Sequence, residues 1–292
     1  MTSVDTSRPS AARIQNYLLG GEAHWTIDRG VADRALQELP SWQDVHIASR
    51  LLLRRVIRFL LARGVRQFID VGAGIPDAAA IHRLVRDPVH PATRTRQSGR
   101  SSAARVVYVD RDPLAVAHCR AALARDGDQR RHAAVQADLR DPDELWTRVA
   151  DTAVIDPRRP VALLVLAVLH FNPPDLARAS GHDPVVDSMA AYRRWLPSGS
   201  YLAISHLSDH QVPPPTAAEL AAVTDHYRRA GVPLSVRSPD GIRALFGDFT
   251  LQEPGLTWCP LWHPDLVSDA RSAPRFPTPR HSLLLTGLAR KA

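Results

Sequence analysis

Two glycines and an aspartate close the first strongly apolar strand of the sequence, where they could hold a ligand. The stretch FIDVGAGIPDAA, residues 68–79, places Asp70 in the strand and puts Gly72 and Gly74 in the turn that follows. Glycines let a ligand approach the backbone closely because they carry no Cβ. In an open α/β sheet, ligands bind outside the carboxyl ends of the strands. The turn after Asp70 is the first such strand end in this chain.

Carboxylates stand at the ends of the next two predicted strands. The stretch VVYVDRD ends one strand with Asp110, followed by Arg111, and an acid here can accept hydrogen bonds from ribose hydroxyls. The stretch VQADLRD contains Asp138, which can accept a hydrogen bond from an exocyclic amine such as that of adenine, while Leu139 packs on the base. These residues, with Arg111 beside Asp110, favour a ligand that contains adenosine.

The glycine turn discriminates between two cofactors that contain adenosine. A nicotinamide dinucleotide needs the pattern G-x-G-x-x-G, which seats its pyrophosphate on the N-terminus of the next helix. Asp77 stands where the third glycine belongs, and Pro76 removes one backbone N–H from the turn. S-adenosylmethionine has no phosphate and does not impose this requirement. The turn therefore favours S-adenosylmethionine, with Asp70 supporting the turn or reaching the ligand amine through water.

The spacing of apolar residues predicts the elements that position these side chains. Residues 9–64 show helical patterns, first in SRPSAARIQNYLLGG, then over 28–39, and again after SWQD. From residue 66 onwards, apolar strands alternate with helices, which predicts a doubly wound α/β fold with a mostly parallel sheet covered on both faces. Two late strands, in FTLQEPGLTW and HSLLLTGLARK, predict an antiparallel hairpin at one sheet edge. No repeat or long linker divides the chain.

The composition restricts the class of protein. The chain has 292 residues, of which 45% are hydrophobic and 23% charged, as in ordinary globular proteins. No apolar run approaches the roughly 18 residues that a membrane span requires. The N-terminus lacks the apolar segment of a signal peptide. The two cysteines are far apart, so neither a disulfide framework nor a zinc-binding spacing is indicated. We expect a cytoplasmic protein with no metal and no membrane partner.

The net charge of +7 has two interpretations. Nearly every basic residue is arginine, a bias that a GC-rich genome would produce, so basicity alone is weak evidence for a nucleic-acid partner. Only residues 87–105 concentrate the arginines, with proline, serine and glycine between them. This stretch is either a flexible surface insertion or a loop that contacts phosphates.

The larger motifs resemble a known family. RIQNYLLGGEAHWTIDR, RQFIDVGAGIP, ARVVYVDRDPLAVAH, AVQADLRDP, PVALLVLAVLHF and YRRWLPSGSYLAISH occur in this order. Together they resemble class I S-adenosylmethionine-dependent methyltransferases, and within them a high-GC bacterial family formerly catalogued as a domain of unknown function. The resemblance extends over roughly Pro9 to Lys291. It implies a seven-stranded Rossmann-like methyltransferase sheet over residues 65–292 and S-adenosylmethionine as the cofactor, but no particular acceptor.

The resemblance also implies a role for the N-terminal helices. Residues 1–64 would form a helical cap or lid that makes one compact unit with the sheet domain. Tyr17 would cover the methionine or ribose end of the cofactor, beside Gly20 and Gly21, and Asp28 would support the lid. The alternative is a helix that docks for stability alone.

Methyl transfer requires little from the protein beyond placement. It is an in-line displacement at a carbon activated by a sulfonium, so a general base is needed only if the nucleophile arrives protonated. The fourth strand ends in LHF, and in this fold its tip faces the methyl group, so His170 is the predicted base or substrate contact. His206, at the end of the fifth strand, is a second candidate; either residue could instead be structural. Residues 172–174 weakly resemble the N-P-P-aromatic motif of amino-group methyltransferases, although Asp175 replaces the aromatic residue.

Several functions follow from these observations. The leading hypothesis is an S-adenosylmethionine-dependent methyltransferase that acts on a small molecule. The alternatives are a nucleic-acid methyltransferase that uses residues 87–105, and a catalytically silent cofactor-binding or regulatory protein. An NAD-dependent reductase is a further alternative, against which the missing third glycine argues. The sequence indicates neither the acceptor nor the oligomeric state.

Overall fold

The computed structural model describes residues 5–77, 80–85, 104–171, 183–266 and 273–292. Within these residues one eight-stranded sheet has the order β3-β2-β1-β4-β5-β8-β6, and β7 also pairs with β8. The strands are β1 (Gln67–Val71), β2 (Arg105–Asp110), β3 (His132–Gln136), β4 (Ala162–Leu166), β5 (Tyr201–Leu207), β6 (Thr250–Leu251), β7 (Thr257–Trp258) and β8 (Leu284–Arg290).

The sheet is mostly parallel, as the sequence predicts. Strands β1 to β5 pair in parallel, and β8 runs antiparallel to β5. The predicted antiparallel C-terminal strands are also present, because β6 and β7 both pair antiparallel with β8. The described residues contain eight strands rather than seven because two separate two-residue strands lie beyond β8.

Helices cover both faces of the sheet. They are α1 (Ala11–Leu18), α2 (Thr26–Glu38), α3 (Trp42–Ala62), α4 (Ile81–Leu84), α5 (Pro113–Asp126), α6 (Pro142–Asp151), α7 (Pro184–Trp195), α8 (Pro214–Arg229) and α9 (Pro239–Phe246). Helices α5, α6 and α7 each begin with Asp-Pro. Asp112, Asp141 and Asp183 accept a hydrogen bond from a backbone N–H of the first turn, and proline fits the first helical position because it needs no donor there.

The core has two sides because neighbouring strand residues point to opposite faces. Phe68 packs with residues of α1, α2, α3, α5 and α8, whereas Ile69 packs with residues of α6, α7 and α9. Ile14 of α1 and Leu52 of α3 are in the same cluster as Phe68. The N-terminal helices therefore share a continuous apolar core with the sheet, and the division into a cap of residues 1–64 and a sheet domain of residues 65–292 stays a prediction.

Some predicted features lie outside the described residues. Residues 87–103 of the arginine-rich stretch and the motif at 172–175 both do. Helix α4, which follows the glycine turn, is described over four residues. No helix within the described part of the chain is both long enough and apolar enough to cross a membrane.

Candidate functional site

A cleft of about 760 Å³ opens at the carboxyl ends of the parallel strands. The cleft is lined by α1 and the residue before it, by the turn after β1, by the ends of β2, β3 and β4, and by α7. The lining residues are Ser10, Ala11, Ala12, Gln15, Val71, Gly72, Gly74, Asp110, Arg111, Asp112, Ala137, Asp138, Leu139, Arg140, Ala167, Val168, Leu169, Phe171 and Val185.

The structure brings most of the predicted cofactor residues to this cleft. Six of the nine line it: Gly72, Gly74, Asp110, Arg111, Asp138 and Leu139. Tyr17, Gly21 and Asp70 are not among the lining residues, and neither is His170. The three strand ends that the sequence singled out therefore meet in one place, as expected for neighbouring parallel strands.

Gly72 sits where the chain leaves β1 and passes close to the end of β4. Its φ is +73°, and a Cβ built on it would lie 2.4 Å from Cγ2 of Val168. The backbone N–H of Gly72 donates to the carbonyl of Val109 at 2.8 Å, which holds the turn against β2. Glycine is thus required here both by the backbone conformation and by the space available.

We expect Gly72→Ala to destabilise the protein by about 3 kcal/mol, from about 1 kcal/mol of backbone strain and about 2 kcal/mol of overlap with Val168. Gly64→Ala is the matched control, because Gly64 has a φ of +81° but nothing within 4 Å of an added Cβ. The control should lose only the strain. Urea denaturation of both variants measures the difference, and equal losses would contradict the overlap.

The carboxylate of Asp110 is fixed by the glycine turn. The N–H of Gly74 donates to Oδ2 at 2.8 Å, and the N–H of Asp112 donates to Oδ1 at 2.9 Å. Burial raises the pKa of Asp110 above its usual value, and these two N–H groups oppose that rise. Each carboxylate oxygen keeps a second lone pair. Asp110 can therefore accept two further hydrogen bonds from a ligand in the cleft.

Ser10, just before α1, connects the N-terminal helices to these acids. Its hydroxyl donates to Oδ2 of Asp112, and its N–H donates to Oδ1 of Asp28 at 3.0 Å. Asp28 is fully buried and pairs with Nε of Arg13, 2.9 Å from its Oδ2. Asp112 in turn caps α5 and donates to Asp110. A chain of hydrogen bonds therefore runs from Asp28 of α2 through Ser10 and Asp112 to Asp110, the residue predicted to bind the ribose.

We expect Ser10→Ala to weaken binding of S-adenosylhomocysteine about fivefold, because one hydrogen bond of about 1 kcal/mol no longer holds α1 against Asp112. Ser10→Thr keeps the hydroxyl and should restore affinity. Ser7→Ala is the control, since Ser7 bonds only the exposed Asp5 nearby. Isothermal titration measures the three dissociation constants. Equal affinities for the alanine and threonine variants would contradict this role.

Asp138 lies in the cleft in an ion pair with Arg140, which the sequence analysis did not single out. Nη2 of Arg140 lies 2.5 Å from Oδ2, and Nε donates to Oδ1 at 3.0 Å. Burial raises the pKa of Asp138, but the hydrogen bonds and charge of Arg140 outweigh burial and lower it below its usual value. The hydroxyl of Tyr192 donates to the carbonyl of Leu139 at 2.7 Å and fixes the next residue.

Asp70 is buried behind the turn, at 6% exposure. Burial raises its pKa to about 7; the charge of Arg50 opposes this rise, and the carboxylates of Asp110 and Asp77 add to it. A buried carboxyl group with a pKa shifted this far, beside a cleft, is a candidate for a functional role.

Arg50 of α3 lies beside the glycine turn and was not among the predicted site residues. Its Nη2 donates to the carbonyl of Ile75 at 3.5 Å and would lie 3.9 Å from a Cβ on Gly74. Its Nε is 3.2 Å from a carboxylate oxygen of Asp77. The turn thus has the carboxyl of Asp70 and a guanidinium beside it, which are complementary to an ammonium and a carboxylate.

Tyr17 and Gly21 lie at the end of α1 and in the turn after it. The hydroxyl of Tyr17 donates to Asp33 of α2 at 2.8 Å, and its ring meets His24 edge-on. The side chain of Asn16 lies against Gly21 and accepts a hydrogen bond from the N–H of Ala23. These contacts order the connection between α1 and α2, and a direct contact with cofactor stays a prediction for both residues.

His170 lies beneath the cleft, between the lining residues Leu169 and Phe171. Its ring centroid is 5.7 Å from that of His206, and Nδ1 has no hydrogen-bond partner. Burial lowers the pKa of His170 well below its usual value, and the nearby His206 and His46 lower it further. Burial also lowers the pKa of His206, to about 3, so both rings favour the neutral form. In the described part of the chain, no cluster of three or more His, Cys, Asp or Glu could hold a metal ion.

Helix α1 supplies the cleft residues that sequence reasoning missed. Ala11, Ala12 and Gln15 line the cleft, whereas Ile14 and Leu18 pack into the core. The two small alanines beside Ser10 were the available signal, because small side chains permit close approach to a ligand.

Comparisons with known proteins identify the family of this chain. The model of the S-adenosyl methyltransferase family matches residues 1–292. The chain belongs to this family. It is accordingly an S-adenosylmethionine-dependent methyltransferase by family and by fold. A comparison with curated proteins gives no match.

Two solved structures resemble this methyltransferase over nearly its whole length. One is a methyltransferase candidate from Thermobifida fusca YX, with 34% identity, a TM-score of 0.79, and 98% and 96% of the two chains covered. The other is a DUF574 family protein from Streptomyces avermitilis MA-4680, with 29% identity, a TM-score of 0.81, and 99% and 100% covered. The seven-stranded methyltransferase sheet implied by the family resemblance and the doubly wound sheet of this chain are the same fold.

Proposed function

We propose that this methyltransferase modifies a small-molecule acceptor and holds its cofactor in the cleft at the ends of β1 to β4. The observation that carries the proposal is Asp110. Its two carboxylate oxygens are fixed by backbone N–H groups, and both keep a lone pair for a ligand in the cleft. This arrangement fits the two hydroxyls of a ribose.

The rest of the cleft fits the remaining parts of S-adenosylmethionine. Ala137, Leu139 and Val185 supply an apolar wall for the adenine, and Asp138 supplies an acceptor for its amine. In this proposal the glycine turn lies under the amino-acid end. Asp70 and Arg50 would face the ammonium and the carboxylate of that end, respectively, directly or through water.

The chemical contribution of the protein is then placement and exclusion of water. S-adenosylmethionine supplies a methyl group that its sulfonium makes electrophilic. Val168 and Phe171 line the cleft at the end of β4 and would keep water from the transfer path. The depressed pKa makes His170 a weak base at neutral pH, since a good general base has a pKa near the working pH. We infer that the nucleophilic atom of the acceptor carries no proton that the protein must remove. His170 then has a structural role, in the floor of the site.

We propose a small acceptor rather than a nucleic acid because the cleft wall beside the transfer path is apolar, formed by Val168 and Phe171, as is usual in small-molecule sites. A cytoplasmic location is part of the proposal. It is supported by Cys119 and Cys259, which are both buried free thiols, as is usual in reducing compartments.

The test is transfer of a labelled methyl group from S-adenosylmethionine into cell extract that has been separated into small molecules, nucleic acids and proteins. We expect label in the small-molecule fraction with the wild type and none with Asp110→Asn. Label confined to the nucleic-acid fraction would show that the acceptor is a nucleic acid and not a small molecule. Binding of S-adenosylhomocysteine without label in any fraction would favour a catalytically silent protein.

A further inference from the structure

A second groove opens at the other end of the sheet, at the amino ends of β1, β4 and β5. It has a volume of about 540 Å³ and is lined by the loops that precede these strands and by the end of β8. Its lining residues are Arg63, Gly64, Val65, Arg66, Gln67, Arg159, Pro160, Gly199, Tyr201 and Arg290. We call it the arginine groove. Because β1 has five residues, about 17 Å of strand separates this groove from the cofactor cleft.

Every charged residue in the lining of the arginine groove is an arginine. Within the described residues, none of the four forms an ion pair with a carboxylate, in contrast to Arg34, Arg148 or Arg228 on the helices. The nearest loop does contain an acid, Asp156, but this residue pairs with Arg158 and does not line the groove. Four arginines therefore line a concave surface that has no negative charge in its lining.

Local structure accounts for only two of these arginines. Nη1 of Arg66 donates to the carbonyls of Leu61 and Val65, and Nη1 of Arg63 donates to that of Phe59 at 3.3 Å, so both help to end α3. Arg159 and Arg290 have no such explanation. Across the described residues, neither guanidinium has a hydrogen-bond acceptor. Arg290 lies beside Gly199, since its Nη2 would be 3.9 Å from a Cβ placed on that glycine.

We propose that the arginine groove binds a compact phosphate-bearing anion, of the size of a diphosphate group. Guanidinium groups offer paired N–H donors that match phosphate oxygens, and they lose little hydration when they bind. A concave surface with charge of one sign also concentrates the field on a small anion. The groove is local and indented, which suits a compact ligand better than an extended nucleic-acid backbone. It is a site separate from the cofactor cleft, whose ligand carries no phosphate.

The test is isothermal titration of the full chain with inorganic pyrophosphate at about 50 mM salt. We expect a single site with a dissociation constant below about 1 mM, weakened at least tenfold at about 200 mM salt because the contact is ionic. Arg159→Gln and Arg290→Gln should each weaken binding at least fivefold, and the double variant should abolish it. Arg34→Gln, at an exposed side chain of α2, is the control and should bind as the wild type does.

The outcomes separate this proposal from its competitors. Absence of binding at 5 mM pyrophosphate (a ceiling of roughly fivefold the expected constant), or binding that the double variant retains, would overturn it. A single-stranded oligonucleotide that binds more tightly than pyrophosphate through the same arginines would also overturn it, in favour of a nucleic-acid surface. The double variant should bind S-adenosylhomocysteine with unchanged affinity, so failure of this site leaves the proposed methyl transfer standing.

Discussion

Asp110→Asn should weaken binding of S-adenosylhomocysteine at least about 30-fold, the equivalent of about 2 kcal/mol. The amide replaces one acceptor oxygen with a donor, yet the N–H groups of Gly74 and Asp112 each need an acceptor. One of them therefore loses its partner in a buried setting, which alone costs about 1–3 kcal/mol. The ribose also loses one of its two acceptors.

The measurement is isothermal titration, with thermal melting to check that the variant is folded. Asp141→Asn is the matched control. Asp141, in the loop after β3, also accepts a hydrogen bond from a backbone N–H, that of Glu144, but it does not line the cleft, and asparagine caps a helix equally well. The control should bind as the wild type does. A dissociation constant for Asp110→Asn within twofold of the wild type would rule out its assignment to the ribose.

Asp70→Asn should stabilise the protein at pH 8 and at the same time weaken cofactor binding. Burial raises the pKa of Asp70 to about 7 from 3.8 in the unfolded chain, so the folded state holds the proton more tightly. Its contribution to stability is complete below pH 4 and is lost as the pH rises through 7. A pKa difference of about three units corresponds to at most about 4 kcal/mol of unfolding free energy, which the wild type loses at high pH. The asparagine variant would not lose it, because its side chain stays neutral.

The diagnostic quantity is the difference in the free energy of unfolding between Asp70→Asn and the wild type at pH 5, 7 and 8.5. We expect this difference to grow with pH. His46 and His206, whose burial lowers their pKa values to about 4 and about 3, have the opposite trend and lose stability as the pH falls below 6.5. They contribute equally to both proteins and cancel in the difference. Asp240→Asn, at a side chain that is 94% exposed, should show no such trend.

Cofactor binding supplies the second half of the Asp70 prediction. If the carboxylate faces the ligand ammonium, the asparagine variant should bind S-adenosylhomocysteine about tenfold more weakly at pH 8. Gain of stability with unchanged affinity would show that Asp70 only supports the turn. Loss of both would point to a structural role for the carboxylate in the folded turn.

The sequence predicted those parts of the site that depend on strand ends. Asp110, Asp138 and the glycine turn follow apolar strands directly, and parallel strands bring their carboxyl ends together. The doubly wound sheet and its antiparallel C-terminal strands were predictable for the same reason, because alternation of strands and helices is a local pattern. The division of the edge beside β8 into two strands, β6 and β7, could not be predicted, because a two-residue strand is too short to show an alternating pattern.

Contacts across long stretches of chain escaped prediction. Neither Ser10 beside Asp112 nor Arg50 beside the glycine turn has a local signature, because each depends on how α1 and α3 pack on the sheet. The family resemblance predicted a cofactor contact for Tyr17 on α1, whereas the small residues Ala11 and Ala12 of that helix line the cleft. The surroundings of His170 were equally hidden, because its burial depends on the neighbouring strand and on His206.

The hydrogen bond from Ser10 to Asp112 joins residues 102 positions apart. One wall of the cleft therefore leaves the ribosome well before the strands against which it must dock. Until β1 and β2 have been made and paired, α1 has only α2 and α3 as partners. A ligand that bridges both parts favours the completed arrangement by mass action. The supply of cofactor in the cell would then influence how much of the newly made chain reaches its final form.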